Sequence, residues 1–334
     1  MAETNRRVLL ARRPSGMVDA TTTGMAEEPV PRPGAGEALV RVRYLSIDPT
    51  IRTWMNDAPG YLPPIALGDV VRSPGVGEII ESNTERYAVG DVVYGMTGWQ
   101  DYTIADGGTR VMQVIPPGVT PELALNLLGM NGMTAYFGLL DVGAMRPGDT
   151  VVVSGAAGAT GCIVGQIAKL KGAGRVVGIA GTDAKCGWIV DELGFDAAVN
   201  YRDEDVAGRL RAECPKGIDL YFDNVGGEIL DICLAQLAMH GRVVLCGAIS
   251  QYNVARPVGP ANYLNLLIKR GRMEGFIIID YLDRMAEAQA EMFGWVVEGR
   301  IRSTEHVVEG LDRAPDALNL LFTGGNTGKV IVRL

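Results

Sequence analysis

The chain has 334 residues, 47% of them hydrophobic, and a formal net charge of −8 at pH 7. This length allows two domains of ordinary size, and no apolar run approaches the ~18 residues of a membrane span. The acidic balance and the lack of a Lys/Arg cluster argue against nucleic acid as a partner.

The cysteines and the first residues together predict a cytoplasmic protein. The five cysteines are scattered, odd in number and without a Cys-x-x-Cys pair, which favours reduced thiols over a disulfide framework. Residues 1–7 lack the apolar core of a signal peptide. We therefore expect a cytoplasmic location and no membrane partner.

Short apolar runs broken by glycine and proline characterise residues 1–125. They lie at 8–10, 38–42, 77–80, 91–94 and 111–115. Their alternation and turn spacing predict a β-rich, barrel-like domain.

From about residue 122 the pattern changes to helices and strands in alternation. Helices are expected at 124–128 and 134–140, and the later ones near 160–170, 184–194, 204–213, 227–237, 260–270 and 281–299. Strands are expected at 151–153, 175–180, 197–201, 218–223, 242–248 and 274–279. Six strands with crossover helices predict a doubly wound parallel sheet. The tail, 304–334, reads as strand, helix and strand, and is expected to return to the first domain.

The chain is organised around residues 151–161, where a buried strand runs into a glycine-rich turn and a helix. Gly155, Gly158 and Gly161 are separated only by small residues. The unpaired N–H groups of a helix's first turn bind phosphate, and small side chains allow a pyrophosphate to approach. Ala156 interrupts the usual G-x-G-x-x-G pattern, so a tight turn in another α/β protein is the alternative.

The end of the second strand indicates which dinucleotide is preferred. An NAD site usually has an acid there, about 20 residues past the glycines, but this strand ends in Gly181 and Thr182. Asp183 follows and could equally cap the next helix. Lys185 and Tyr201 could hold a 2′-phosphate, although a solvated lysine is the alternative. The missing acid favours NADPH.

Cysteine and histidine are absent from the first 161 residues. A catalytic zinc site in this part of the chain would need such ligands. We therefore expect no metal, and no zinc to act as Lewis acid.

Further segments, spread over nearly the whole chain, carry a family pattern. They are 45–49 (Leu-Ser-Ile-Asp-Pro), 132–138, 155–161, 164–169, 223–227, 246–253, 272–276 and 326–329 (Asn-Thr-Gly-Lys). Together they resemble the zinc-independent medium-chain dehydrogenase/reductases. Within that family they are similar to the branch of leukotriene B4 12-hydroxydehydrogenase/prostaglandin reductase, plant 2-alkenal double-bond reductases and bacterial curcumin reductase.

The resemblance implies a GroES-like β-barrel substrate domain, residues 1–125 and 300–334, and a Rossmann NADPH-binding domain, residues 126–299. It implies a homodimer through the sheet edge near the sixth strand, to which the apolar run 277–279 could contribute. The cofactor-binding residues that it implies are Thr134, Gly158, Ala159, Thr160, Gly161, Lys185, Tyr201, Asn224, Cys246, Gly247, Ala248, Ile249, Ser250, Gln251, Tyr252, Phe276, Ile277, Ile278 and Asn326.

Several of these residues also have simpler interpretations. Asn224 before two glycines could be a turn former, and Cys246 could be a small core residue. Tyr61 and Tyr252 are candidates to hold a substrate carbonyl, but a surface or packing role is open for Tyr61.

Two departures from the family leave the proton donor unassigned. Thr50 and Ile268 stand where relatives often carry tyrosine, and such phenols are natural donors to a developing enolate oxygen. The leading hypothesis is an NADPH-dependent reductase of the activated C=C bond in α,β-unsaturated aldehydes or ketones. The alternatives are an NADPH:quinone oxidoreductase and an NADPH-binding protein with little turnover.

Overall fold

The computed structural model of the chain describes residues 4–108 and 111–334. It divides into two compact units. The first comprises Met1–Leu125, Glu305–Asn326 and Val330–Leu334, and the second Asn126–Thr304 and Thr327–Lys329. Part of the segment on which the signal-peptide expectation rests, residues 1–3, lies outside the described residues. Among the described helices, none combines the length and apolar character needed to cross a bilayer.

The secondary structure follows in chain order. The strands are β1 (Thr4–Leu10), β2 (Thr23–Pro29), β3 (Ala38–Ile47), β4 (Pro74–Ser82), β5 (Val92–Met96), β6 (Tyr102–Ala105), β7 (Gln113–Val114), β8 (Thr150–Ser154), β9 (Arg175–Ala180), β10 (Ala197–Asn200), β11 (Ile218–Asp223), β12 (Leu237–Leu245), β13 (Arg272–Gly275), β14 (Glu305–Glu309) and β15 (Lys329–Arg333). The helices are α1 (Thr50–Trp54), α2 (Pro121–Leu125), α3 (Met130–Phe137), α4 (Ala159–Leu170), α5 (Asp183–Asp191), α6 (Val206–Glu213), α7 (Gly227–Ala235), α8 (Leu264–Lys269), α9 (Met285–Val297) and α10 (Ala314–Thr323).

The first unit is built on an antiparallel sheet. Its described strands run in the order β14-β15-β3-β4-β5-β7, with β6 paired to β3, and β1 and β2 form a separate antiparallel pair. Its core joins side chains of β1 and β3 to those of α1 and α10, including Leu45, Ile51 and Leu318. The β-rich domain expected from the short apolar runs is present, and it includes residues from the tail.

The second unit contains a parallel sheet in the order β10-β9-β8-β11-β12-β13. The chain moves outward from β8 to β10, then returns to the other side of β8 and continues outward to β13. Val151, Val152 and Val153 of β8 are completely buried, as expected of a strand covered on both faces. The doubly wound sheet is therefore confirmed. Its order reverses between β8 and β11, which is where open α/β sheets bind their ligands.

The sixth strand is shorter than predicted. The pattern 274–279 predicts a strand because of its β-branched run, but β13 ends at Gly275, and a 3₁₀ helix, Ile278–Arg284, precedes α9. The Phe276 ring packs so closely on Gly138 that a Cβ there would lie 2.6 Å from its Cζ. This packing accompanies the turn of the chain out of the sheet.

Candidate functional site

The turn between β8 and α4 has the geometry of an anion site. Gly155 has φ of +58°, where glycine is favoured, and the amide of Gly158 donates to its carbonyl oxygen over 2.9 Å. No side chain caps α4 at Gly158. The first-turn amides of Ala159, Thr160 and Gly161 therefore lack intrahelical acceptors and can serve a phosphate.

Close packing in this turn requires glycine at position 161. A Cβ on Gly161 would lie 2.4 Å from the carbonyl oxygen of Gly155 and 2.9 Å from the Cα of Ala156. The turn is also held from the tail, because the amide of Gly328 donates to the carbonyl oxygen of Ala157 over 2.8 Å. The turn is thus fixed by its own chain before any ligand enters.

Buried polar contacts join the carboxyl ends of β8 and β11. The Ser154 hydroxyl donates to Oδ1 of Asp223 over 3.1 Å. The same oxygen accepts from the amides of Val225 and Gly226, over 3.0 and 2.9 Å. Asp223 is fully buried, and this burial raises the pKa of its carboxyl. The carboxyl thereby shapes the loop that follows β11.

Asn224 connects this loop to β8. Its side-chain amide donates to the carbonyl oxygen of Ser154 over 2.7 Å, and its backbone amide donates to the Ser154 hydroxyl over 3.0 Å. Asn224 is therefore a structural turn residue at the switch point. Its contact with a ribose stays a prediction.

The segment 246–252 lies against the same loop. The amides of Cys246 and Gly247 both donate to the carbonyl oxygen of Asp223, over 2.9 and 3.0 Å. Burial of the Cys246 thiol raises its pKa to about 12, so thiolate chemistry is disfavoured. The hydroxyl of Tyr252 accepts from the amide of Ala248 over 3.1 Å. The intervening residues Ile249, Ser250 and Gln251 form a 3₁₀ turn.

Lys185 and Tyr201 lie at the carboxyl ends of the adjacent strands β9 and β10. The amide of Tyr201 donates to the carbonyl oxygen of Ala180 over 3.0 Å. The Tyr201 ring covers Gly181, where a Cβ would lie 3.0 Å from the phenol oxygen. Lys185 is half-buried in the first turn of α5. Partial burial, with a smaller contribution from the Arg202 charge, lowers its pKa.

The acid nearest to this strand end does not cap α5. Thr182 is the N-cap, and its hydroxyl accepts from the amide of Lys185 over 3.2 Å. Asp183 is the first helical residue, and its carboxylate accepts from the side-chain amide of Asn200 over 2.8 Å. The sequence pattern could not decide which of the two residues caps α5, because Thr and Asp are both strong N-cap formers.

Aromatic packing orients the segment 276–278. The Phe276 ring meets Tyr281 edge-on with ring centroids 6.3 Å apart, and Tyr281 stacks on Phe137 at 4.8 Å. Phe137 ends α3, the helix that carries Thr134. The backbone of Ile277 and Ile278 is thereby positioned through side chains of α3 and the 3₁₀ helix.

Tyr61 and Asn326 belong to the first unit. Tyr61 is 43% exposed, and its ring meets Trp54 edge-on with centroids 6.3 Å apart. Its hydroxyl makes a direct hydrogen bond with the hydroxyl of Thr50. Asn326 is buried.

The titratable side chains do not form a metal cluster in the described structure. Across residues 4–108 and 111–334, no three His, Cys, Asp or Glu side chains group so as to hold a metal ion. The five cysteines are all unbridged.

Two family descriptions match the chain. Residues 6–114 match the "N-terminal domain of oxidoreductase", and residues 159–294 match the "Zinc-binding dehydrogenase". The chain is 43% identical to an NADPH-dependent curcumin reductase of Escherichia coli over 99% of its own length and 97% of that protein's. It is 39% identical to an NADP-dependent 2-alkenal reductase of Nicotiana tabacum, covering 90% and 88%.

A solved structure gives the same result in three dimensions. The chain superposes on CurA of Vibrio vulnificus, solved in complex with NADPH, with a TM-score of 0.93 and 43% identity over 98% of each chain. The N-terminal unit is thus GroES-like and the second unit is a Rossmann domain. The resemblance seen in the sequence is confirmed: the chain belongs to the medium-chain dehydrogenase/reductase family, in the zinc-independent branch that contains the curcumin and 2-alkenal reductases.

Proposed function

We propose that this protein is an NADPH-dependent reductase of the activated C=C bond in α,β-unsaturated aldehydes or ketones. The observation that carries the proposal is the pairing of two anion sites in one unit. The amide-lined turn at Ala159–Gly161 suits a pyrophosphate, and Lys185 with Tyr201 suits a 2′-phosphate. The names of the curcumin and 2-alkenal reductases support the substrate class.

The residues present fit NADPH better than NADH. The tip of β9 carries no carboxylate of its own, and the Asp183 carboxylate is engaged by Asn200. A ribose diol finds no acid at the strand tip itself, where NAD sites usually place one, whereas Lys185 offers a cation to a phosphate. When bound, NADPH supplies the hydride.

The chain's own residues must position the cofactor and the substrate. Asn224 and the segment 246–252 border the switch point. The main chain of 276–278, held by the Phe276 and Tyr281 rings, is the segment that we assign to the nicotinamide side. Asn326 is assigned to the cofactor by family pattern.

Negative charge that develops on the substrate's carbonyl oxygen needs a hydrogen-bond donor. Tyr61 is the first candidate, because its phenol is exposed and its hydroxyl is oriented by Thr50. Tyr252 is the second, with its oxygen already accepting from the amide of Ala248. The Ile268 side chain has no donor, and the Thr50 hydroxyl is engaged with the Tyr61 hydroxyl.

The domain limits and the surroundings of the protein are part of the proposal. We assign residues 1–125 and 300–334 to the substrate domain and residues 126–299 to the NADPH-binding domain. We also assign a cytoplasmic location, no nucleic-acid or membrane partner, and no metal. Reduced, unbridged cysteines agree with the location.

A homodimer is proposed through the edge of the parallel sheet. β13 is the edge strand, and the neighbouring helix α8 exposes Leu267 at 76% and Ile268 at 61%. Burial of such side chains against a second copy would be favourable. Light scattering should give twice the chain mass, and Leu267→Asp should shift the mass toward the monomer. A wild-type monomer at micromolar concentration would contradict the assembly.

A substrate panel tests the activity directly. Enones, enals, quinones and simple alcohols would each be supplied with NADPH, or with NADP⁺ for the alcohols, and cofactor absorbance followed. Turnover of enones and enals above quinones supports the proposal. A clear preference for quinones would favour the quinone reductase alternative, and no turnover would favour a binding protein.

A further inference from the structure

Arg202 is a second cation close to Lys185 and Tyr201, the two residues that we assign to the 2′-phosphate. Arg202 directly follows Tyr201, at the carboxyl end of β10, and Lys185 lies in the first turn of α5, the helix that follows β9. The two strands pair in parallel with Asn200 opposite Ala180. Since carboxyl ends of neighbouring parallel strands meet at one edge of a sheet, Lys185 and Arg202 emerge at the same place.

Asn200 fixes the backbone at the carboxyl end of β10 through its side-chain hydrogen bonds. It is 1% exposed, and its Oδ1 accepts from the amide of Arg202 over 3.1 Å. Its Nδ2 donates to Asp183 over 2.8 Å and to Asp203 over 2.9 Å. One buried amide thus fixes the backbone of Arg202 and engages both neighbouring carboxylates.

The Tyr201 ring contacts both Arg202 and the end of β9 that leads into α5. Its ring is held over Gly181, and the guanidinium carbon of Arg202 lies 5.8 Å from the ring centroid. That distance is within the range of a cation–π contact. Partial burial is the main cause of the lowered pKa of Lys185, and the positive charge of Arg202 lowers it further. The two cations are therefore close enough to interact. Like charges placed in this way repel one another, and a phosphate dianion near both would relieve the repulsion.

We propose that Arg202 is a specificity-determining residue that binds the 2′-phosphate of NADPH together with Lys185 and Tyr201. This proposal rests on the proposed function. A guanidinium offers paired N–H donors that match a phosphate, which a lysine cannot do. The three side chains then present an ammonium, a phenol and a guanidinium to one phosphate.

The experiment isolates the phosphate from the rest of the cofactor. Adenosine 2′,5′-bisphosphate and adenosine 5′-monophosphate would be titrated into the full chain by calorimetry. Arg202→Gln should weaken binding of the bisphosphate about tenfold and leave the monophosphate unchanged. Arg202→Lys should lose less, because it keeps the charge. Arg211→Gln, at an exposed arginine of α6, is the matched control and should bind like the wild type.

Each result has a defined meaning. If wild type binds both probes equally, the proposed NADPH preference fails, and the role of Arg202 fails with it. If wild type prefers the bisphosphate and Arg202→Gln keeps that preference, the proposed function stands and the role of Arg202 is overturned. An equal loss for both probes would also overturn it, since the residue would then act on folding or on the common adenosine.

Discussion

The hydroxyl of Tyr221 donates a hydrogen bond of 2.7 Å to Oδ1 of Asp223. The two residues are two positions apart on β11, so their side chains share one face of the sheet. Both are fully buried. Together with the Ser154 hydroxyl and two loop amides, Tyr221 completes a set of four donors on one carboxyl oxygen.

Asp223→Ala should destabilise the protein substantially. It removes the carboxyl oxygen that accepts from all four donors, and buried donors left unpaired cost about 1–3 kcal/mol each before relaxation. We expect a loss of about 3 kcal/mol in the free energy of unfolding, measured by urea denaturation. Asp223→Asn, which keeps one oxygen, should lose less. Equal losses in the two variants would contradict this account of the carboxyl.

The same carboxyl should make stability depend on pH. Its pKa is raised by burial in the folded state, so its stabilising contribution is full below the unfolded pKa of about 3.9 and is lost as the pH rises through the folded pKa. Relative to Asp223→Asn, the wild type should become less stable over that interval. The measurement is urea denaturation at a series of pH values, and parallel curves would refute the assignment.

Gly161→Ala should destabilise the turn between β8 and α4. The new Cβ would meet the backbone carbonyl of Gly155 at 2.4 Å, so α4 must move away from β8. We expect the free energy of unfolding, measured by urea denaturation, to fall by about 2 kcal/mol, and NADPH binding to weaken. Gly187→Ala on α5 is the control: its Cβ would lie 3.7 Å from the nearest atom, a carboxylate oxygen of Asp191. That variant should be neutral or slightly stabilising.

Lys185→Ala should raise the KM for NADPH about ten- to hundredfold and leave that for NADH nearly unchanged. The effect should shrink at high salt because the site is open to solvent. Tyr201→Phe should act in the same direction more weakly, since it removes one neutral donor. Lys216→Ala, at an exposed lysine of the same unit, is the control. A wild type that prefers NADH, or equal losses with both cofactors, would disprove the role.

Tyr61→Phe should lower kcat for enones about ten- to hundredfold with a small change in KM, because a donor to a developing oxyanion acts mainly in the transition state. Thr50→Val should give a smaller loss, and Thr50→Ser should restore activity by keeping the hydroxyl that contacts the phenol. Tyr263→Phe, at an exposed tyrosine of the other unit, is the control. An unchanged kcat in Tyr61→Phe would transfer the role to Tyr252.

Part of the fold and site could be predicted from local pattern alone. The turn between β8 and α4 follows from consecutive features of the sequence. These are the continuous apolar run of β8, the glycines after it and the helical periodicity of α4. The prediction extends the sixth strand too far, because the isoleucines 277–279 favour a strand locally. The strand instead ends beside a contact of Phe276 with Gly138, which lies in a distant segment of the sequence.

Arg202 shows why the rest of the site could not be predicted. Its position beside Lys185 depends on the register of β9 against β10 and on the side chain of Asn200. The sequence shows only an arginine after a tyrosine, in a stretch that also holds acids at 203, 204 and 205. The choice of Thr182 over Asp183 as N-cap likewise depends on the backbone angle at one residue.

The hydrogen bond from Gly328 to Ala157 has a consequence for biosynthesis. The carbonyl of Ala157 is synthesised well before its partner amide, which belongs to Gly328, far along the chain. During translation the turn between β8 and α4 therefore lacks this hydrogen bond until the segment 327–329 has left the ribosome. Such a long sequence separation slows folding, so the turn gains this hydrogen bond only late in folding.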